Sequence, residues 1–314
     1  MSIAQRLADS TLINPGSDRV RSVAGLARRS ARSRAGRFLA EGPQCVREAL
    51  RAHLGEFDAL VPAPRDGVID ALYVTERALQ RHPDIDQLVE RVLQAEGSPR
   101  VFVRMVSDEV LAAMSDAEHP QGVLAVCRIP ELTWAQVVEG RPRLVAVMCR
   151  VQDPGNAGTV LRAADAAGAD AVVLTAGSVD LHNPKVVRST AGSLFHLPVL
   201  TGLDPAELVG RPVSDAAGGE LQVLAADGYG ALDLDELQDA SAAGREAAVE
   251  LSRPTAWLFG NEAQGLSEQE KALASHRVAV PLHGAAESLN VGTAATLCLY
   301  ASARAQRRTA EGAA

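Results

Sequence analysis

Cysteine and aromatic residues are scarce in this chain of 314 residues. Aromatic residues make up 3% of it, and its four cysteines lie far apart, at Cys45, Cys127, Cys149 and Cys298. No Cys-x-x-Cys pair and no pair of histidines at ligand spacing occurs, which argues against a zinc site or a disulfide framework. We therefore expect buried thiols and no bound metal.

Long apolar stretches and several well-known catalytic motifs are missing as well. No run of 18 apolar residues occurs, and residues 1–6 lack the apolar core of a signal peptide, so we expect a cytoplasmic protein with no membrane span. Gly-x-Gly-x-x-Gly, Gly-Lys-Ser/Thr, Gly-x-Ser-x-Gly and His-Glu-x-x-His are absent. Dinucleotide enzymes, α/β hydrolases and zinc proteases are therefore poor interpretations.

What the chain does contain is enough apolar material for two domains, since 47% of its residues are hydrophobic. Short strand patterns alternate with helical patterns over residues 1–129, which predicts a small α/β domain. Residues 130–142, with a proline at each end, are the predicted linker. Over residues 143–314 strand, polar loop and helix recur, which predicts an α/β domain with a parallel sheet and an acidic insert around 201–250.

The net charge of −8 is distributed unevenly. Residues 201–250 contain eleven acidic side chains and two arginines, whereas residues 19–37 contain seven arginines and no acid. The apolar spacing predicts one basic amphipathic helix over residues 20–35. Its charge suits a phosphate backbone, although arginines that merely coat a solvent-exposed helix are the alternative. The candidate phosphate contacts are Arg28, Arg29, Arg32 and Arg34.

Three polar blocks each come after an apolar strand pattern. Asp153–Arg162 follows Leu144–Met148, Gly260–Leu266 follows Thr255–Phe259, and Glu287–Val291 lies shortly beyond a third apolar pattern. Because ligands bind outside the carboxyl ends of the strands in an open α/β sheet, we expect the three blocks to converge at one sheet edge.

In order and spacing these blocks resemble the three motifs of the SpoU (TrmH-type) RNA ribose 2′-O-methyltransferases of the SPOUT superfamily. The resemblance covers about residues 140–306. It rests on Asn156 six residues before Arg162, on Gly260-Asn261-Glu262 with Gly265, and on Ser288-Leu289-Asn290. A weaker match continues upstream, in Arg37–Gly42 and Pro120–Val123.

The resemblance implies a SPOUT domain whose C-terminal part, about residues 255–300, forms a trefoil knot. It also implies a small ribosomal-protein-like RNA-binding domain ahead of it, and a homodimer formed through the C-terminal domain. The implied cofactor is S-adenosyl-L-methionine, cradled by backbone groups of Gly260, Val280 and Leu289, with Leu224 and Leu282 as weaker candidates. The implied catalytic residues are Arg162, Asn156, Glu262, Ser288 and Asn290.

Arg162 points away from the apolar face of a helix predicted over residues 157–167, which Asn156 is expected to cap. In the family the matching arginine binds the substrate phosphate and takes part in removing the 2′-hydroxyl proton. A guanidinium stays protonated under almost all conditions, so phosphate anchoring is the simpler role and proton removal stays open. Glu262 is expected to orient the arginine or the asparagine, or else to cap a helix. Ser288 or Asn290 is either catalytic or an N-cap.

The sequence therefore predicts a methyltransferase that acts on the ribose 2′-hydroxyl of RNA, with 23S-type ribosomal RNA favoured over transfer RNA. The same chemistry on transfer RNA is one alternative. A non-catalytic RNA-binding or ribosome-assembly protein that keeps the fold is the alternative from another class. Asn156, Arg162, Glu262 and Asn290 argue against that second alternative, because a binding protein does not need all four.

Overall fold

The computed structural model of this chain describes residues 6–7, 11–57, 66–95, 99–209 and 220–312. The chain folds as two units: unit 1 comprises Met1–Glu131 and Asp180–His196, and unit 2 comprises Leu132–Val179 and Leu197–Ala314. The predicted linker is not extended throughout, because Trp134–Glu139 forms a helix of unit 2 that begins with a capping box.

The elements of the first part of the chain are α1 (Asp18–Gly25), α2 (Arg29–Ala35), β1 (Arg37–Glu41), α3 (Pro43–His53), β2 (Ile69–Val74), α4 (Glu76–Arg81), α5 (Pro83–Gln94), β3 (Phe102–Met105), α6 (Asp108–Met114) and β4 (Val123–Arg128). They are followed by α7 (Trp134–Glu139), β5 (Leu144–Met148), α8 (Pro154–Ala167), β6 (Ala171–Thr175), α9 (Pro184–Ser189), β7 (Val199–Leu203), β8 (Gln222–Ala226), β9 (Leu232–Asp233), α10 (Leu234–Ala242), β10 (Thr255–Phe259), α11 (Glu268–Leu273), β11 (His276–Ala279) and α12 (Val291–Gly312).

Unit 1 is built on a four-stranded sheet with the order β1-β4-β2-β3, so β3 lies at an edge. β4 is antiparallel to β1 and β2, and β3 is parallel to β2. Apolar residues of α3 and α5 pack in one cluster with the sheet, and those of α1 and α6 pack in another. Apolar side chains that alternate along the strands supply both clusters, which is the pattern expected of a sheet covered on its two faces.

The basic helix predicted over residues 20–35 is two helices, α1 and α2. Helix α1 ends at Gly25 and α2 begins at Arg29. Between the two helices, the carbonyl oxygens of Leu26 and Ala27 accept hydrogen bonds from Nη1 of Arg32 at 2.8 and 2.7 Å. An internal arginine thus satisfies carbonyl groups that a continuous helix would have paired. Apolar periodicity continues across the break and does not reveal it.

Unit 2 contains a seven-stranded sheet with the order β7-β6-β5-β10-β8-β11-β9, and all its strand pairs are parallel. The predicted parallel sheet is therefore confirmed. β5, β6 and β10 are buried along their whole length, as expected of apolar strands covered on both faces. Trp257 of β10 donates from Nε1 to Ser302 Oγ of α12 at 2.9 Å, which fixes this helix on the sheet. Within the described ranges, no helix has the length and apolar character needed to cross a membrane.

Candidate functional site

The loops that follow β5 and β10 begin side by side. Met148 lies opposite Phe259 in the parallel pair, and the backbone N–H of Cys149 donates to the Phe259 carbonyl at 2.8 Å. β8 and β11 lie next along the same sheet. Because parallel strands end at a common edge, the loops after β5, β10 and β11 open at the same place.

Helix α8 begins at Pro154, three residues before the predicted start, and Asn156 is not its cap. Asp153 has an extended backbone, and its carboxylate accepts from the N–H of Asn156 at 2.8 Å. Pro154 occupies the first turn, where its missing N–H costs no hydrogen bond. The predicted cap at Asn156 is therefore wrong. Because Asp153 supplies the cap, the side-chain amide of Asn156 can bind other groups.

Asn290, Asn156 and Glu262 form a hydrogen-bonded chain that joins all three loops. Nδ2 of Asn290 donates to Oδ1 of Asn156 at 2.8 Å, and Nδ2 of Asn156 donates to Oε1 of Glu262 at 3.1 Å. Oδ1 of Asn290 also accepts from the N–H of Gly292 at 2.9 Å, so Asn290 caps α12 as well. Each of the two asparagine side chains uses both its amide oxygen and its amide nitrogen, which fixes the orientation of the amide.

The Glu262 carboxylate collects further donors at this point. The backbone N–H groups of Gln152 and Asp153 donate to its two oxygens, each at 3.2 Å. Burial alone would raise the pKa of Glu262, but its hydrogen bonds to backbone N–H groups and to Asn156 outweigh burial and lower that pKa below the ordinary value. Glu262 is therefore a carboxylate at neutral pH. It orients the asparagine of the first motif and the chain entering α8.

Arg162 stands on the solvent-facing stripe of α8 that also includes Gly155, Thr159 and Ala166. Its guanidinium makes no hydrogen bond or ion pair with any residue in the described part of the chain. Glu262 thus orients Asn156 and not Arg162. The five N–H donors of Arg162 are available for a substrate, and their forked geometry suits a phosphate.

Gly260 has no room for a side chain. An ideal Cβ atom on it would lie 2.3 Å from the carbonyl carbon of Gly265 and 2.4 Å from the nitrogen of Leu266. This crowding arises because Asn261 and Gly265 exchange two backbone hydrogen bonds, of 3.1 and 2.8 Å, that fold the loop back. Glycine is therefore required by the loop itself, before any ligand approaches it.

The positions expected to hold S-adenosyl-L-methionine offer a donor set that fits it. The backbone N–H and C=O groups of Gly260, Val280 and Leu289 bond to no residue that the structure describes. Adenosine presents both donors and acceptors, so unpaired backbone groups beside the apolar side chains of Val280, Leu282 and Leu289 suit it.

Two other sequence candidates have plainer surroundings. Leu224 is fully buried in the middle of β8, opposite Trp257 of β10 and His276 of β11, so it belongs to the interior of the sheet. Ser288 is exposed, and its hydroxyl has no hydrogen bond to the described residues.

Arg150, which the sequence interpretation missed, connects two of the loops. It follows β5 with a left-handed backbone (φ 56°), and its carbonyl accepts from Nδ2 of Asn261 at 2.8 Å. Its guanidinium donates to both carboxylate oxygens of Glu270 at 3.0 and 2.7 Å, and to the Gly265 carbonyl at 3.2 Å. Arg150 thereby holds the loop that carries Glu262. In the sequence, Glu270 stands at the position of a capping-box residue, and nothing near it indicates that it pairs with Arg150.

We expect Arg150→Ala to loosen this loop, because it removes charge-assisted hydrogen bonds. Such a bond contributes about 1.5–3 kcal/mol, and these contribute toward the lower end because they are partly exposed to solvent. Amide exchange over residues 260–267 should accelerate by roughly tenfold, measured by hydrogen–deuterium exchange. Arg141→Ala is the matched control, since Arg141 is also left-handed (φ 58°) and its side chain has no partner in the described ranges. Equal exchange in the two variants would contradict the assigned role.

The four candidate arginines of unit 1 differ in their surroundings. Arg28, Arg29 and Arg34 are exposed. Arg32 is 3% exposed and its Nη2 atom donates to Asp180 at 2.6 Å, in addition to the bonds to the break between α1 and α2. Its guanidinium cannot reach a phosphate from this position. Arg32 is therefore a structural residue of unit 1, contrary to the expectation from sequence.

No group of three or more His, Cys, Asp or Glu side chains in the described ranges is arranged to hold a metal ion. The four cysteines are free and buried. Burial raises the pKa of Cys45 to about 11 and raises those of Cys127, Cys149 and Cys298 as well. These thiols therefore stay protonated at neutral pH.

Comparison with known proteins identifies two families along this chain. The profile of the SpoU rRNA Methylase family matches residues 143–300. The profile of the MRM3-like substrate binding domain matches residues 17–125. The first match contains the three loops of the site, and the second contains β1, β2, β3 and the first half of β4.

Individual relatives are similar over much of their length. The chain is 31% identical to the 23S rRNA (guanosine(2553)-2′-O)-methyltransferase RlmP of Bacillus subtilis, over 86% of this chain and 89% of the relative. It is 31% identical to the 23S rRNA (uridine(2479)-2′-O)-methyltransferase of Streptomyces viridochromogenes, over 64% of this chain and 67% of the relative. Among solved structures, the SpoU methyltransferase AviRb from Streptomyces viridochromogenes in complex with AdoMet has a TM-score of 0.71 and 28% identity, over 93% of this chain and 99% of that one.

Proposed function

The chain belongs to the SpoU rRNA methylase family, and from this premise we propose that it transfers a methyl group from S-adenosyl-L-methionine to a ribose 2′-hydroxyl of 23S-type ribosomal RNA. The observation that carries the proposal is the Asn290–Asn156–Glu262 hydrogen-bonded chain, together with Arg162 on the same helix as Asn156, whose guanidinium bonds to no described residue. The names of the similar enzymes from Bacillus subtilis and Streptomyces viridochromogenes support ribosomal RNA as the substrate class.

When bound, S-adenosyl-L-methionine supplies an electrophilic methyl group. Backbone groups of Gly260, Val280 and Leu289 would hold its adenosine. Asn156 and Asn290, fixed by Glu262, give the substrate side of the site a rigid polar surface, which lowers the cost of orienting the ribose. Arg162 binds the neighbouring phosphate, and its permanent positive charge stabilises the negative charge that develops on the 2′ oxygen as the hydroxyl proton passes to solvent water, to which this side of α8 is open.

We also propose that the protein works in the cytoplasm as a homodimer, with a trefoil knot over about residues 255–300. Support for the knot comes from the place of β10, a late strand of the chain that lies between β5 and β8. The dimer is supported by an exposed stripe on α12, in which Leu297 and Tyr300 are 44% and 46% exposed. Apolar side chains exposed together on one helix face are typical of an interaction surface. Sedimentation equilibrium tests the dimer.

The experiment that tests the proposed function incubates the purified protein with methyl-labelled cofactor and 23S ribosomal RNA transcripts. We expect label to enter the RNA and to survive as an alkali-resistant dinucleotide, because a methylated 2′ oxygen cannot attack the adjacent phosphate. Transfer RNA serves as the comparison substrate. Preferential labelling of transfer RNA would overturn the substrate assignment, and the absence of label from both RNAs would overturn the proposed activity.

Arg28, Arg29 and Arg34 are expected to contact phosphates in this account. Each phosphate contact contributes roughly −0.7 to −0.9 to the slope of log affinity against log salt. Replacing the three arginines with glutamine should therefore flatten the slope by about two units, measured by RNA titration at several salt concentrations. Cofactor affinity is the control and should not change. An unchanged slope would show that these arginines do not contact RNA phosphates and only face solvent.

A further inference from the structure

Two guanidinium groups lie over the ring of Phe102, on the edge strand β3 of the unit 1 sheet. The Cζ atom of Arg19 is 4.1 Å from the ring centroid, and the Cζ atom of Arg104 is 4.3 Å from it. Phe102 and Arg104 are two residues apart on β3 and therefore share one face of the strand, while Val103 and Met105 are buried on the other. Arg19 comes from the first turn of α1.

The stack has a fixed position in unit 1. The Phe102 ring packs partly buried against the apolar cluster formed by α1, α6 and the sheet, and it lies 6.3 Å from the ring of the fully buried Tyr73. Nη1 of Arg19 reaches the Tyr73 hydroxyl at 3.5 Å, and Nη1 of Arg104 donates to the Val103 carbonyl at 2.9 Å. The two guanidinium groups are thus held against a ring that is itself anchored in the core.

Neither arginine of the stack has an acidic partner among the residues described. Their neighbours in unit 1 differ, because Arg21 pairs with Asp18, and Arg37 and Arg128 both pair with Asp70. Two positive charges on one aromatic ring repel each other, and at an exposed site each gains only a small stabilisation from the ring. Most of their N–H donors remain free for a ligand.

We propose that Arg19, Phe102 and Arg104 form an RNA-binding site, in which the outer faces of the two guanidinium groups stack on unpaired nucleobases and their edges bind the adjoining phosphates. The proposal rests on the proposed function, which makes RNA the substrate. Single-stranded RNA is read by stacking on aromatic rings and on arginine planes, and a guanidinium already held flat loses less entropy when a base stacks on it.

RNA explains this arrangement better than an acidic peptide does. An acidic peptide needs positive charge but not planarity, and lysine would serve it equally well. The stack instead joins two planar cations with a ring, a combination of positive charge and π-faces that matches nucleobases alternating with phosphates. Three further exposed arginines of unit 1 add to its positive charge, namely Arg28, Arg29 and Arg34.

The test measures binding of a short single-stranded RNA of mixed sequence that contains 2-aminopurine, whose fluorescence is quenched by stacking. The double variant Arg19→Lys/Arg104→Lys keeps both charges and loses both planes. We expect it to bind with a Kd at least fivefold higher and to lose most of the quenching, while the salt slope stays within half a unit. Arg19→Ala/Arg104→Ala should raise the Kd by roughly tenfold to 100-fold and flatten the slope as well.

Two further variants keep the test decisive. Phe102→Leu retains an apolar side chain in the cluster and removes the ring, and it should behave like the double lysine variant. Arg21→Ala is the matched control, because Arg21 is an exposed arginine of α1 that pairs with Asp18. It should change the Kd by less than twofold. Melting temperatures establish that each variant is folded.

The possible results separate the proposals. Wild-type affinity and quenching in the double lysine variant would overturn the stacking site, whether or not the protein methylates RNA. Polyglutamate, titrated in the same way, represents an acidic protein partner. Loss of polyglutamate binding together with unchanged RNA binding in the double alanine variant would also overturn the stacking site. The proposed methyl transfer is tested separately, with wild-type protein and 23S ribosomal RNA. Its failure would leave RNA binding by the stack measurable.

Discussion

Arg162→Ala is expected to lower the rate of methyl transfer by at least about 100-fold and to leave the affinity for S-adenosyl-L-methionine within about twofold. The guanidinium faces solvent from α8 and bonds to no described residue, so its removal breaks no contact of the folded protein. What is lost is the proposed anchor for a phosphate, and with it the positive charge expected near the reacting oxygen. Single-turnover rates with saturating RNA, and calorimetric titration of the cofactor, measure the two effects.

Two variants accompany this measurement. Arg162→Lys keeps the charge but loses the paired donors, and we expect it to retain little activity because one ammonium cannot match the bidentate geometry. Arg245→Ala is the control, since Arg245 is also exposed and its side chain has no partner in the described part of unit 2. It should keep wild-type activity. Full turnover by Arg162→Ala would remove this arginine from the site.

Gly260→Ala is expected to weaken binding of S-adenosyl-L-methionine by roughly tenfold to 100-fold, and Gly260→Val should abolish it. Even one methyl group would lie 2.3 Å from the carbonyl carbon of Gly265, so the loop between Asn261 and Gly265 must open. Overpacking of this kind typically costs about 1–3 kcal/mol, and here it also displaces the backbone groups expected to hold adenosine. Calorimetry and the melting temperature report the two consequences.

The matched control for this glycine is Gly228, which follows the neighbouring strand β8. A Cβ atom there would meet nothing within 4 Å, so Gly228→Ala should leave cofactor affinity and melting temperature close to wild type. Unchanged cofactor affinity in a folded Gly260→Val variant would show that the cofactor is held elsewhere.

Local signals predicted much of the fold. The apolar run Thr255–Phe259 forms β10 with those bounds, and Ser267 forms a capping box with Glu270, three residues later, at the start of α11. Asn183 caps α9, which begins at Pro184, a residue favoured in the first turn of a helix. These features depend on neighbours within a few residues, which is why sequence spacing identifies them.

The misplaced or missed features depend on partners far along the chain. Arg32 was assigned to phosphate because its charge matches that of its neighbours, yet its position is set by Asp180, 148 residues away. The position of the Arg150 guanidinium is set by Glu270, 120 residues away. Asn156 was assigned as a helix cap although the preceding Asp-Pro pair carries the stronger start signal, and its true partners, Glu262 and Asn290, come from two other loops. Local patterns do not encode such distant pairings.

The central claim, that this chain methylates the ribose of ribosomal RNA, is tested most directly by mass spectrometry of nucleosides from 23S ribosomal RNA. The RNA is treated with S-adenosyl-L-methionine and either wild-type protein or Arg162→Ala. The account predicts one additional 2′-O-methylated nucleoside with the wild type and almost none with the variant. A methyl group on a nucleobase, or RNA left unmodified by the wild-type protein, would contradict it.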